Sequence, residues 1–236
     1  MPATTAEQAP VAARHAVVTG ASSGIGRAIA ARLLAEGWRV TGLCRSAPAE
    51  PVEGLRIVPV DVTDLARLAE VCDRLGTVDA LVHAAGFMRT APLGELCAED
   101  GAAMWRVHVD AAAFLADRLV PRMPANGRII LIGSRTANGA PTRSQYAATK
   151  AALVGMARSW AAELAPRGIT VNVIAPGATD TPFLRDPARA QTPPRLPPIG
   201  RFISPEEVAA MAAFLAGEYG GGITGQQIVM CGGASL

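Results

Sequence analysis

The chain has 236 residues, half of them apolar, and 22 Lys and Arg against 20 Asp and Glu leave a net charge of +2. No apolar run approaches the ~18 residues that a membrane-spanning helix needs. The small, dispersed positive charge offers no footprint for nucleic acid or a membrane surface, so one globular domain acting on small, nearly neutral partners is expected.

Residues 1–14 (MPATTAEQAPVAAR) lack a basic stretch followed by an apolar core. They read as a short frayed tail rather than a secretion signal, and the setting is expected to be the cytoplasm. From residue 15 to 236 a single domain is expected, built on seven short apolar runs: HAVVTG, WRVTGLC, LRIVPV, VDALVHAAG, GRIILIGS, ITVNVIAPG and QQIVMCGG. Ala/Leu-rich stretches with helical spacing lie between several of them, as in GRAIAARLLAEG and YAATKAALVGMARSWAAELAPRG. Buried strands alternating with helices predict a doubly wound α/β domain, a seven-stranded parallel sheet with helices on both faces.

Two segments break the alternation. RSAPAEPVEG (45–54) carries two prolines and a glycine, so a loop is expected where a crossover helix would stand. TPFLRDPARAQTPPRLPPIGR (181–201) holds six prolines, and residues 182–200 are expected to form a substrate flap at the carboxyl end of the sheet. Cys44, Cys72, Cys97 and Cys231 share no metal-ligand spacing, so no metal is expected and the thiols read as buried and reduced.

VVTGASSGIGRAIA (17–30) places glycines where a strand becomes a helix. Unpaired backbone N–H groups at such a junction make an anion site; Gly20, Gly24 and Gly26 admit a pyrophosphate, and Ser22 and Ser23 add hydroxyl donors. The spacing is TGxxxGxG rather than GxGxxG, and a purely structural turn is the alternative. Further on, Tyr146 and Lys150 stand four apart on one helical face. A phenol, with a reference pKa of about 10, is a poor base near neutrality, but an adjacent ammonium stabilises its anion. Ser134, at the end of GRIILIGS, is placed to hydrogen-bond the same substrate oxygen.

Together TGASSGIG, Asp61-Val62, His83-Ala84-Ala85-Gly86, Ser134, YAATK and PGATDT resemble the short-chain dehydrogenase/reductase family over nearly the whole chain from His15. The resemblance implies a Rossmann sheet, a nicotinamide dinucleotide and interconversion of an alcohol and a carbonyl. It places Ile25 in the dinucleotide turn and gives Lys150 the added task of holding the nicotinamide ribose beside Tyr146. Where the family's NAD readers carry an acid this chain has Cys44, followed by Arg45, which favours NADP(H) over NAD(H). Asp61 and Val62 fall where the adenine is contacted, or Asp61 caps a helix beginning near Thr63. Ala84, Ala85 and Gly86 keep backbone close to the cofactor, in a turn expected to survive the His83-for-Asn exchange. Pro176, Gly177, Thr179 and Thr181 fall where the carboxamide is gripped, Thr181 being alternatively a helix cap.

His108 occupies the place of an Asn that orders a water beside the lysine; it is expected either to relay protons, as a fourth catalytic residue, or to pack. Phe87, Met88, Phe183 and Leu184 offer apolar surface to a small-molecule alcohol or ketone. Arg89, Arg185, Arg189 and Arg195 could meet a carboxylate or an acyl-carrier phosphate, or be solvated flap charges. Reduction of 3-oxoacyl carrier-protein substrates and oxidation of dihydrodiols both fit the motifs, and a catalytically weak nucleotide sensor or assembly protein is the reading from another class. The apolar girth of MWRVHVDAAAFLADRL and of the YAATK helix, with the family resemblance, implies a homotetramer.

Overall fold

The computed structural model describes residues 13–185 and 193–236. Its seven strands are β1 His15–Thr19, β2 Arg39–Cys44, β3 Arg56–Pro59, β4 Ala80–His83, β5 Arg128–Ile132, β6 Thr170–Pro176 and β7 Gln227–Met230. All pair in parallel, in the order β3-β2-β1-β4-β5-β6-β7. Each run expected as a strand is one. β1, β4, β5 and β6 are buried along their whole length, because helices cover both faces of a parallel sheet.

The helices are α1 Gly24–Ala35, α2 Leu65–Asp73, α3 Ala98–Trp105, α4 Ala111–Leu119, α5 Ser144–Leu164 and α6 Pro205–Ala216. Strand side chains alternate between two cores with the period of two that a pleated strand imposes. Val17, Leu81, Leu131 and Val173 meet Leu68, Leu115 and Leu153 of α2, α4 and α5. Val18, Val82, Ile130 and Ile174 meet Ile29, Leu33, Val208 and Leu215 of α1 and α6. Each such side chain, fully buried, contributes about 1.5–3 kcal/mol. The strand order reverses between β1 and β4, which opens a crevice at the carboxyl ends of the strands.

Several expectations change. Between β2 and β3 there is indeed no helix, but α2 starts at Leu65, capped by Asp64, whose carboxylate accepts from Arg67 N. Asp61 binds the backbone N–H and hydroxyl of Thr63 instead, so it does not cap the helix. The long helix after β4 is not uniform: α3 and α4 are joined by a π-helical turn, Arg106–Asp110, that holds His108. Arg14, assigned to the frayed tail, is anchored, its guanidinium 3.8 Å over the Trp38 ring and donating to the Ala216 carbonyl. The rest of that tail, apart from Ala13, lies outside the described residues. Cys97 is exposed, while Cys44, Cys72 and Cys231 are buried, and all four are unpaired. Of the proline-rich segment, residues 182–185 form a 3-10 turn; residues 186–192, Arg189 among them, lie outside the described residues.

Candidate active site

A cleft of about 1200 Å³ opens along the carboxyl ends of β1, β2, β4, β5 and β6. Every residue the sequence marked for cofactor or chemistry lines it: the glycine turn, Arg45, Asp61 and Val62, Ala84 to Gly86, His108, Ser134, Tyr146, Lys150, and the Pro176, Gly177, Thr179 and Thr181 segment. Residues as distant in the chain as Gly20 and Thr181 meet there because most of them follow a strand or lie in the first turns of a helix that the parallel order aims the same way.

At one end lies the glycine turn. Gly20 has φ +68°, and a Cβ on it would stand 3.0 Å from the Ala85 backbone. A Cβ on Gly26 would stand 2.3 Å from the Gly20 carbonyl, so any side chain there pushes α1 off β1. The start of α1 is left open: Ser23 makes no side-chain cap and no acid stands in its first turn. By contrast Asp64 closes α2, and a Ser204/Glu207 capping box closes α6. Arg45, exposed at the end of β2, has no carboxylate partner among the described residues; its charge only helps the bond from Thr63 N–H to hold Asp61 below the usual carboxylate range.

At the other end stand Ser134, Tyr146 and Lys150, all buried. Ser134 follows β5 and its Oγ accepts from Thr136 N at 3.1 Å, which leaves its proton for a further acceptor. Tyr146 sits in the first turn of α5, and Lys150 Nζ lies 5.8 Å from the Tyr146 ring centroid. That ammonium donates to the Ile132 carbonyl at 2.9 Å. Burial pulls the lysine from its ordinary 10.5 down to about 7. Met88, Met104 and Tyr146, with Phe87 and Phe183 against them, make the apolar wall of this end.

Two buried histidines tie these parts together. His83 Nε2 donates to the Val107 carbonyl at 3.0 Å, and Nδ1 accepts from the Thr19 hydroxyl at 3.1 Å. Thr19 Oγ1 in turn accepts from Ala84 N and Ala85 N, both at 3.0 Å, so the exchange of Asn for His leaves the turn fully bonded. His108 has the opposite tautomer. Its Nε2 accepts from Phe87 N at 3.2 Å, and its Nδ1 donates to Thr149 Oγ1 at 2.8 Å, whose hydroxyl donates to the Tyr146 carbonyl at 2.8 Å. Both rings are therefore held neutral. Burial first, then the Lys150 charge, pushes His83 down to about 3 and His108 well below its ordinary value.

A family model described as enoyl-(acyl carrier protein) reductase matches residues 20–235. The chain belongs to the short-chain dehydrogenase/reductase family. The 3-oxoacyl-(acyl-carrier-protein) reductase FabG of Thermotoga maritima is 36% identical over 236 residues, covering 92% of this chain and 96% of that protein. The 2,3-dihydro-2,3-dihydroxybenzoate dehydrogenase of Escherichia coli is 35% identical over 238 residues, covering 93% and 96%. Among solved structures, a blue fluorescent protein from a metagenomic library, in complex with NADPH, superposes with a TM-score of 0.86 at 34% identity, over 94% of this chain and 98% of that one. This short-chain dehydrogenase/reductase is accordingly an oxidoreductase on a Rossmann sheet.

Some residues of the site were not marked in the sequence. Thr19 and Thr149 carry the histidine network, and Arg135 and Arg143 line the cleft beside Ser134 and Tyr146. The two arginines had one available signal: SRTANGAPTRSQY, between Ser134 and Tyr146, holds two cations and no acid. Thr181 does not cap with its side chain, which donates to the Thr179 carbonyl at 3.3 Å. Of the flap cations, Arg185 is paired with Asp180 at 2.6 Å, Arg89 leans toward Asp100 at 4.0 Å, and Arg195 is exposed on the cleft rim.

Proposed function

We propose that this oxidoreductase interconverts a carbonyl compound and its alcohol with NADP(H), the assignment resting chiefly on the convergence of Ser134, Tyr146 and Lys150 at one end of a dinucleotide-sized cleft. The uncapped start of α1 and the close backbone of Gly20 and Gly26 suit a pyrophosphate, and the unpaired Arg45 suits a 2′-phosphate. Val62 and Asp61 border the adenine end, and the Pro176 to Thr181 segment the nicotinamide end. When bound, the nicotinamide supplies the hydride or takes it up.

The chain's own residues move the proton. In the reducing direction the Tyr146 hydroxyl protonates the substrate oxygen, and in oxidation the phenolate takes the proton back. The Lys150 ammonium steadies that phenolate, and its bond to the Ile132 carbonyl keeps Nζ on station. Ser134 donates to the substrate oxygen as charge grows on it. His108 braces rather than relays: a ring nitrogen free to hold a water is what a relay needs, and both of its nitrogens are spent on the protein.

The names of the relatives extend the substrate range to 3-oxoacyl thioesters and cyclic dihydrodiols. Association as a homotetramer is supported by Trp105, 42% exposed, and by the half-buried Phe114 and Trp160 on α4 and α5. No helix among the described residues is long and apolar enough to cross a membrane. The function is tested by NADPH oxidation over a ketone panel, alongside thermal shift with NADP and NAD. Turnover with some ketone and a larger stabilisation by NADP are expected; stabilisation without any turnover would leave the weak sensor in its place.

A further inference from the structure

Some arginines outside the cleft meet a carboxylate, as Arg27 meets Glu50, Arg67 meets Glu70 and Arg201 meets Glu207. Two half-buried arginines of the cleft do not. Arg135 follows Ser134 in the 3-10 turn after β5, and Arg143 immediately precedes α5, three residues before Tyr146. Both line the cleft, and neither meets a carboxylate among the described residues. Among the described residues Arg135 makes a single long bond, Nη1 to the Ala234 carbonyl at 3.3 Å, and Arg143 makes no side-chain hydrogen bond; its Nε, like those of Arg27 and Arg128, is sealed from solvent without a partner.

The two guanidiniums are close enough to repel: after burial, the Arg135 charge is what most opposes the charge on Arg143, while Tyr146 favours it. Two like charges held together at a half-buried wall, with an orphaned donor, are costly unless an anion joins them. Among the described residues no acid of the cleft can serve: the acidic residue in its lining is Asp61, just past β3, beside Arg45. Nor do the phosphates of NADP(H) reach them: the glycine turn after β1 and Arg45 after β2 stand two and three strands from β5, roughly 10 and 14 Å at the usual sheet spacing.

We infer that Arg143 and Arg135 form a carboxylate-binding subsite beside Tyr146, so that the substrate is a small carbonyl or hydroxy compound bearing its own carboxylate near the reacting carbon. The inference rests on the function proposed above. Nearness to Tyr146 decides the source of the anion, since the phosphate of a carrier-bound acyl chain lies a full pantetheine arm from its carbonyl. Planar guanidinium forks also match a carboxylate face to face. Arg89, leaning toward Asp100, and the exposed Arg106 and Arg195 lie farther out and steer rather than clamp.

The test compares each of two oxo acids, 4-oxopentanoate and 3-oxocyclohexanecarboxylate, with its methyl ester as substrate for NADPH oxidation. Wild type is expected to favour at least one acid over its ester by about 10- to 100-fold in kcat/KM. Arg143→Gln should bring that ratio near one, and Arg143→Lys should keep part of it; because the ratio is taken within each variant, loss of folded protein cancels. Equal use of acid and ester by wild type, or a ratio untouched by R143Q and by R135Q, overturns the subsite while leaving the reductase reading intact. If no carbonyl compound consumes NADPH, that reading falls, and the subsite is judged by binding alone. Benzoate but not benzamide should then raise the melting temperature of the wild-type NADPH complex and fail to raise that of R143Q; no benzoate effect in wild type overturns it.

Discussion

A guanidinium just past β2 with no salt-bridged carboxylate among the described residues is an open offer to an anion, and Arg45 makes that offer on the wall of the cleft, in the proposed place of the adenosine ribose. Replacing it by Asp removes the donors and adds a repelling charge. Arg45→Asp is expected to raise KM for NADPH by at least about 10-fold, the worth of a charge-assisted hydrogen bond, while NADH is used no worse. Steady-state kinetics with both coenzymes read this; an unchanged NADPH to NADH preference would remove Arg45 from the cofactor site. Residues of this kind were legible in the sequence because a strand end or a fixed helical spacing locates them: Ser134 two residues past β5, Tyr146 and Lys150 one turn apart. Arg135 and Arg143 were not, because they sit in an irregular connection where no periodicity says which way a side chain faces. Only the folded chain shows that both line the cleft and, among the described residues, find no acid.

The π-helical turn between α3 and α4 is the element that sequence periodicity could not supply, since one extra residue in a turn leaves the apolar pattern on either side intact. It swings His108 under the Gly86–Phe87 backbone and against Thr149 of α5, so the loop after β4 and the helix that carries Tyr146 are held by one hydrogen-bonded chain. Thr149→Val, nearly isosteric, leaves the buried His108 Nδ1–H without an acceptor, at a cost of about 1–3 kcal/mol. The expected result is a melting temperature lower by roughly 2–10 °C, together with a fall in kcat, both restored in large part by Thr149→Ser. In a bracing role the kcat–pH profile of Thr149→Val keeps the wild-type shape. A change confined to the acid limb, below the range near 7 where Lys150 ionises, would instead make His108 a proton carrier.

At the scale of the whole molecule, the order of strands and helices was legible because each strand is a short apolar run and the crossovers, apart from the proline-broken one between β2 and β3, carry helices. What escaped was set by tertiary contacts: the anchoring of Arg14 on Trp38 and the opening of Cys97 to solvent. All three histidines of the chain, His15, His83 and His108, are buried, and burial lowers the pKa of each. On acidification the unfolded chain takes its protons near 6.5 while His83 waits until about 3. The histidines' contribution to stability is therefore complete above pH 6.5 and drains away as pH falls from there toward 3. Lys150 adds to the same trend between 10.5 and about 7, where the unfolded chain again holds the extra proton. Each histidine is worth on the order of 3–5 °C per pH unit within its window. Thermal melts at pH 7, 6 and 5 should fall steadily, less so in His83→Asn, and a flat series would contradict the neutral assignments. Light scattering reads the proposed association through α4 and α5, for which a monomer is the contrary result.

The claim on which the function depends is that the Tyr146 hydroxyl carries the proton while the rest of the cleft holds the cofactor. The direct measurement is turnover of Tyr146→Phe with a ketone that wild type reduces, beside its NADPH dissociation constant. The account predicts NADPH affinity within about threefold of wild type and kcat lower by about 100-fold or more. Turnover at the wild-type rate would contradict it.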